Sequence, residues 1–344
     1  MRASAVVSKH RSIFHRVVTH ACLAALIVSS GGCEDGEIAA EAAASDLTSS
    51  PAAPAAQVSA VPPATIVDNI RAGGPVVKRV YYDAELAVYV GEGMSENVVW
   101  MNDYLKRAWS YIKRTYGSFG PDPRLYVVLH ARPEFDDATI NNRFDAGFGY
   151  RNVIDLGSAW DWTTQGELQY EVMTHELAHL VEGASKDTHE SPSFDFWSDG
   201  PWPAIFIYDV YKALGRQTQA ADWSNRMWNS LNQSRAADLN SRSFAYFRDW
   251  FYPIHQQYGG SAVFNRYFTL LSQCFPKKEI NVGGRPAKQY ARRATLGEVV
   301  HFWSGAAGVN LTGQFTKAFG WTSKIQSELS QAQRDMPCAN TYPK

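Results

Sequence analysis

A surplus of charge of either sign is missing from this 344-residue sequence: 33 Lys and Arg stand against 34 Asp and Glu, a net charge of -1. Without a basic stripe to neutralise phosphates over an extended surface, nucleic acid is excluded as a partner. Long apolar runs are missing too. The best, "ACLAALIV" near the N-terminus, is far shorter than the roughly 18–20 residues that cross a bilayer, so a permanent transmembrane helix is disfavoured. Internal repeats are absent. Cysteine is scarce, with four in the chain. What remains is an ordinary globular composition, long enough for one large core or two modest ones sharing a cleft.

The apolar run follows Lys9, Arg11 and Arg16 and meets the small-residue stretch "SSGGC". This order of basic, apolar and small residues reads as an export signal over residues 1–32. The placement of Cys33 resembles the cysteine of a bacterial lipoprotein signal, lipidated after cleavage. Ser30 stands where such signals usually carry Leu, so plain secretion stays open beside a cell-envelope lipoprotein in the periplasm or outer membrane. Cys22 would leave with the signal, and Cys274 and Cys338 remain. In an oxidising compartment these two are expected to pair and tie the C-terminal tail to the body.

Residues 33–66 are rich in Ala, Ser and Pro and poor in large apolar side chains, the composition of a flexible tether. From about Val76 the pattern turns β-branched and aromatic, and "VVKRVYYDAELAVYVGEG" predicts strands with a turn near Asp83. A helix is predicted next, with Ser95 as N-cap, apolar positions at Val98, Met101, Leu105, Ala108 and Ile112, and Gly117 as its stop. "RLYVVLHA" predicts a buried strand and "AGFGYRNVIDLG" a strand at a sheet edge. Beyond residue 183 the pattern is helical almost throughout, with candidates Pro201–Leu214, Ala220–Leu231, Phe244–Gln257, Ala262–Cys274, Leu296–Ala306, Leu311–Phe319 and Ser323–Arg334. The expected fold class is α+β, with a mixed sheet and helices over 67–183 and an all-helical subdomain over 184–344.

The stretch "EVMTHELAHLVEG" holds His175, Glu176 and His179. Thr164 and Glu167 predict a capping box at the start of its helix, and Gly183 its end. Four residues apart on a helix, His175 and His179 project on one side and can bind one metal ion through their imidazoles. Tyr170, Met173, Leu177, Leu180 and Val181 fall on the opposite, core-facing side, while Glu171 and Glu182 share the histidine side. An amphipathic helix rarely collects two histidines and three carboxylates along one polar stripe.

His-Glu-x-x-His in this setting resembles the zincin metallopeptidases. Glu182 and Ser185 stand where the branch with a third histidine needs Gly and His, which excludes that branch. The thermolysin-like branch, the gluzincins, takes its third ligand from a glutamate about twenty residues on, and Asp199-Gly200, with Trp197 just upstream, stands in for its Glu-Gly. The resemblance therefore nominates Asp199, a residue one methylene shorter that could instead N-cap the helix from Pro201; His189, Glu182 and Glu190 are rival ligands. The stretch "HFWSGAAGVNLTGQFTKAFGW" resembles the closing helices of gluzincins related to enhancins, which act on mucin-like glycoproteins.

The resemblance implies a zincin-like sheet and a zinc-dependent peptidase: Zn2+ on His175, His179 and Asp199, a water made more acidic by the metal, and Glu176 as general base. It also implies a further donor to the carbonyl oxygen, for which Tyr208, Tyr211, Tyr252 and His255 all qualify, and outer-sphere roles for Glu171 and Glu182. The expected substrate is a protein, peptide or glycoprotein, its backbone pairing with the strand in "GFGYRNVI", and the chain is expected to act as a monomer, on a membrane only through lipid at Cys33. Two other classes remain open: a catalytically inactive zincin-fold lipoprotein that binds protein or glycan, and a zinc-free carbohydrate-binding module. Asp199 in place of the third-ligand Glu, with tryptophan-rich "SAWDWTT" and "DGPWP", permits the first.

Overall fold

The computed structural model describes residues 61–229 and 245–343. The leader with Cys22 and Cys33, residues 33–60 of the tether, and the expected helix ends at Leu231 and Phe244 lie outside the described residues.

Alternation of inward and outward side chains builds a six-stranded sheet in the order β1-β2-β3-β4-β6-β5. Its strands are β1 (Thr65–Val67), β2 (Val76–Tyr82), β3 (Leu86–Val90), β4 (Leu125–Leu129), β5 (Ala138–Asn141) and β6 (Val153–Leu156). The β3–β4 and β4–β6 pairs are parallel; β1–β2, β2–β3 and β5–β6 are antiparallel. Asp83 makes the β2–β3 turn, its Oδ1 accepting the N–H groups of Glu85 and Leu86 at 2.8 and 2.9 Å, a side-chain substitute for a backbone turn.

Two expectations about this region are corrected. Folded structure starts at Thr65, inside the stretch read as tether. The residues read as a sheet edge form instead a single helical turn, Ala146–Phe148, followed by β6 in the sheet interior; the edge is β5. Four residues of modest hydrophobicity, "ATIN", give β5 little period-2 signal, and pairing to β6 decides it.

Period 2 also splits the sheet into two faces. Leu86, Val88, Leu125, Val127, Leu129, Ile154 and Leu156 point to the main core, whereas Tyr89, Tyr126, Val128 and Val153 form a small outer core covered by Ile66 and Ile70. Two helices lie on the main-core side: α1 (Asn102–Tyr116) and α2 (Glu167–Ala184), which carries the motif. Ser95 does not cap α1, because its Oγ accepts Asn97 N–H at 3.3 Å in a local turn and the helix begins seven residues later.

The C-terminal half is mostly helical: α3 (Phe194–Trp197), α4 (Pro201–Ala213), α5 (Gln217–Asn229), α6 (Tyr252–Gln257) entered through a wide turn at Phe247–Phe251, α7 (Ser261–Cys274), α8 (Leu296–Ala307), α9 (Thr312–Phe319) and α10 (Ser323–Asp335). It is not all-helical as expected. β8 (Lys277–Val282) and β9 (Arg285–Tyr290) form a hairpin, and β7 (Thr188–His189) pairs in parallel with β9. Gly283 and Gly284 both take positive φ, 57° and 84°, which the two-residue turn requires and only glycine adopts freely.

Aromatic rings dominate this half's interior: Trp197, Trp202, Trp250 and Trp303 are fully buried, and Tyr267 stacks on Trp303 at 4.0 Å. The tryptophans of "SAWDWTT" and "DGPWP" are mostly core; Trp162 and Trp202 are buried, and Trp160 is half-buried. Cys274 and Cys338 are disulfide-bonded, fastening the C-terminal turn to the end of α7 as expected. Among the described residues no helix is long and apolar enough to cross a membrane.

Candidate metal centre

Helix α2 is buried on nearly every side, its polar stripe included: His175, Glu176, Glu171 and Glu182 are all within the interior. The expected apolar residues Tyr170, Met173, Leu177, Leu180 and Val181 do face the core. The capping box does not form. Thr164 Oγ1 instead donates to Asp161 at 2.6 Å, and Gly166 starts the helix with no side-chain cap. Glu167, freed from that role, accepts both Arg216 bonds at 2.6 and 2.8 Å. Gly183 lies within the helix, where an added Cβ would stand 3.2 Å from Asn142 Nδ2; close approach, not a left-handed cap, accounts for the glycine.

Asp199 is brought to the histidines by a sharp turn. Ser198 adopts φ 52° and ψ -152°, a positive-φ extended conformation open almost only to glycine that costs another residue about 1–3 kcal/mol. Gly200, not Asp199, is the N-cap of α4, and no N-cap side chain bonds the helix start, so Asp199 is not a cap. Its Oδ1 lies 3.0 Å from His179 Nε2 and 3.7 Å from His175 Nε2, and the two Nε2 atoms are 3.1 Å apart. Donors at about 2.0–2.1 Å from a tetrahedral zinc stand about 3.3 Å from one another, so this triangle has the size that such an ion needs. The three residues form a donor set that could hold a metal ion.

Electrostatics agree with a shared cation. Burial alone would raise the Asp199 carboxyl, but the hydrogen bonds to His175 and His179 hold it far below the ordinary carboxylate range. Burial disfavours charge on both imidazoles and lowers His175; at His179 it is overcome by Asp199 and Glu182, which keep that ring protonated. A metal ion would take over the place of that proton. Burial pushes Glu176 up to about 8.

Glu176, His179 and Asp199 line a cleft of about 530 Å³ whose far wall is β5, with Ala138, Thr139 and Ile140. The rival ligands sit on its rim and outside the triangle. His189 stacks on Phe144 at 4.8 Å with Nε2 3.7 Å from Asp145, and Glu190 approaches Arg293 at 4.0 Å. Glu182 lies behind the site: Oε2 is 3.3 Å from His179 Nδ1, and Oε1 accepts the Trp197 indole N–H. That donor was missed in the sequence, where Trp197 figured only as a landmark. Glu171 has no such role, since it turns away to pair with Arg226.

None of the four expected carbonyl-oxygen donors lines the cleft. His255 Nε2 is bound to Asp209 at 2.9 Å, Tyr208 accepts from Gln256 at 3.3 Å, Tyr211 is fully buried, and Tyr252 packs edge-on or tilted against Tyr208, Trp228 and Phe247. Their helical periodicity marked core packing. Arg293 and His189 also face the cleft beside His179; His189 was singled out in the sequence only as a rival ligand, and Arg293 not at all, because it follows the unanticipated β9.

No protein-family model matches the chain, and no curated protein matches it. Among solved structures it is similar to a functionally unknown conserved protein from Bacillus anthracis, at 11% identity and TM-score 0.46, over 72% of this chain and 50% of that one. It is also similar to a mutant of an M1 zinc metallopeptidase from Deinococcus radiodurans, at 17% identity and TM-score 0.44, over 71% and 51%. A third likeness is to a two-domain M1 zinc metallopeptidase mutant bound to L-tryptophan, at 14% identity and TM-score 0.39, over 76% and 49%. The chain spans about half the length of these proteins, and likenesses of this order do not assign it to a family.

Proposed function

We propose that the chain is a zinc-dependent peptidase of the zincin kind, with His175, His179 and Asp199 as protein ligands and Glu176 as general base. The observation that carries the proposal is the triangle of donor atoms at 3.0, 3.1 and 3.7 Å beside Glu176 on the wall of an open cleft. Zinc bound there would act as a Lewis acid toward a peptide carbonyl and raise the acidity of water. Glu176 would take a proton from water as its oxygen adds to the carbonyl carbon, and return it to the leaving nitrogen as the C–N bond breaks. The products are a carboxylate and an amine.

Strand β5 would hold the substrate. It ends the sheet beside the cleft, so its free backbone groups can pair with an extended peptide. On its leader pattern the protein acts outside the cytoplasm, attached through Cys33 or secreted. A peptide and glycoprotein library digested with wild type and Glu176→Gln tests the reading. Cleavage by wild type alone, with equal zinc in both, is expected. Full zinc occupancy without cleavage by wild type would leave a binding protein, and wild type without zinc would remove the proposal entirely.

A further inference from the structure

A second set of three donors lies on the outer face of the same sheet. Asp155 on β6 and His130, just after β4, meet Asp68, just after β1; all three are buried, with donor atoms within 4.8 Å of one another. His130 Nε2 is 3.1 Å from Asp68 Oδ2 and 3.3 Å from Asp155 Oδ1. These two sides are close to the 3.0 and 3.1 Å sides of the first triangle.

Two features ask for a further cation. Arg71 places both Nε and Nη2 on Asp155 Oδ1, at 3.0 and 2.7 Å, while Asp155 Oδ2 is buried without a hydrogen-bond partner. A guanidinium normally grips both oxygens of a carboxylate, and a bare buried oxygen costs about 1–3 kcal/mol. Charge gives the second feature. Arg71 pairs with Asp155 and with half-exposed Asp137, whose charge water also meets, while buried Asp68 has His130 as its partner, so the buried charges balance only when the imidazole carries a proton or a metal ion takes that proton's place.

We propose that Asp68, His130 and Asp155 bind a divalent transition-metal ion of the zinc class, a borderline cation suited to one imidazole and two carboxylates. Its role is structural. It fastens the segment leading from β1 to the ends of β4 and β6. Arg71 in that segment also binds the backbone oxygen of Asp137, the residue before β5, at 2.9 Å, so the fastening supports the strand that walls the cleft.

Zinc content of the purified full chain tests this, with the two sites read apart. The double variant His175→Ala/His179→Ala is expected to keep one zinc equivalent. His130→Ala, or Asp68→Asn should the alanine variant fail to fold, is expected to lose one equivalent relative to wild type. Wild type holding one equivalent that survives the double variant would support this site and remove the other. A double variant that holds none, or a His130→Ala or Asp68→Asn protein that keeps the full wild-type content, would overturn the proposal and leave a protonated imidazole between the carboxylates.

Discussion

Oε2 of Glu182 lies 3.3 Å from Nδ1 of His179 while its other oxygen takes the indole N–H of Trp197. The carboxylate thus holds the imidazole so that Nδ1 carries a proton and Nε2 is directed at Asp199 and His175. Carboxylate partners of this kind orient ligand rings, and losing one typically costs 10–100-fold in metal affinity. Glu182→Gln is expected to weaken zinc by about that factor in a chelator competition. Unchanged affinity would show that the contact orients nothing.

Asp199 closes the triangle from outside α2, and without it two imidazoles 3.1 Å apart lose the one carboxylate that both Nε2 atoms face. Asp199→Ala is expected to lose zinc by more than the roughly 10–100-fold typical of an outer partner, whereas Asp199→Glu restores part of it. Metal analysis after dialysis reads both. Equal zinc in Asp199→Ala and wild type would exclude Asp199 as a ligand.

The Cys274–Cys338 bond closes a loop with a sequence separation of 64 residues. By the loop-entropy relation its loss costs about 4 kcal/mol. Cys274→Ser/Cys338→Ser should therefore show a lowered melting temperature, with zinc content kept because neither cysteine touches the cleft. A melting temperature equal to wild type would mean the reduced tail stays docked without the bond.

Burial pushes Tyr104, Tyr111, Tyr116, Tyr211 and Tyr267 well above the ordinary phenol value of 10.0. Above about pH 10 an unfolded chain loses these protons while the folded one keeps them, so stability is intact below that pH and falls as pH rises past it, by about 1.4 kcal/mol per unit for each ring. These five should ionise together with loss of near-ultraviolet circular dichroism. Complete tyrosinate absorbance with the dichroism unchanged would contradict the burial.

Helix boundaries were legible wherever apolar period and breakers coincided, as at Pro201–Ala213 and Ser261–Cys274. The hairpin at Gly283-Gly284 was legible too, in "EINVGGRPAKQY", and passed unread because its strands are short and half exposed. The edge strand β5 carries no comparable local signal. Tyr208, Tyr211, Tyr252 and His255 misled for a different reason: residue type suggests chemistry, but packing decides whether a hydroxyl or imidazole meets a cleft or a neighbouring ring.

The sequence by itself determined the α+β class, the disulfide pair, and two histidines on one side of one helix, because helical geometry and covalent spacing act over a few residues. Tertiary structure alone decided that Ser198 turns Asp199 onto those histidines, that Glu182 rather than Glu171 supports them, and that β5 faces them across a cleft. Each of these rests on atoms distant in the chain meeting within a few ångströms, which depends on how the sheet and helices pack and leaves no periodic trace in the residues themselves.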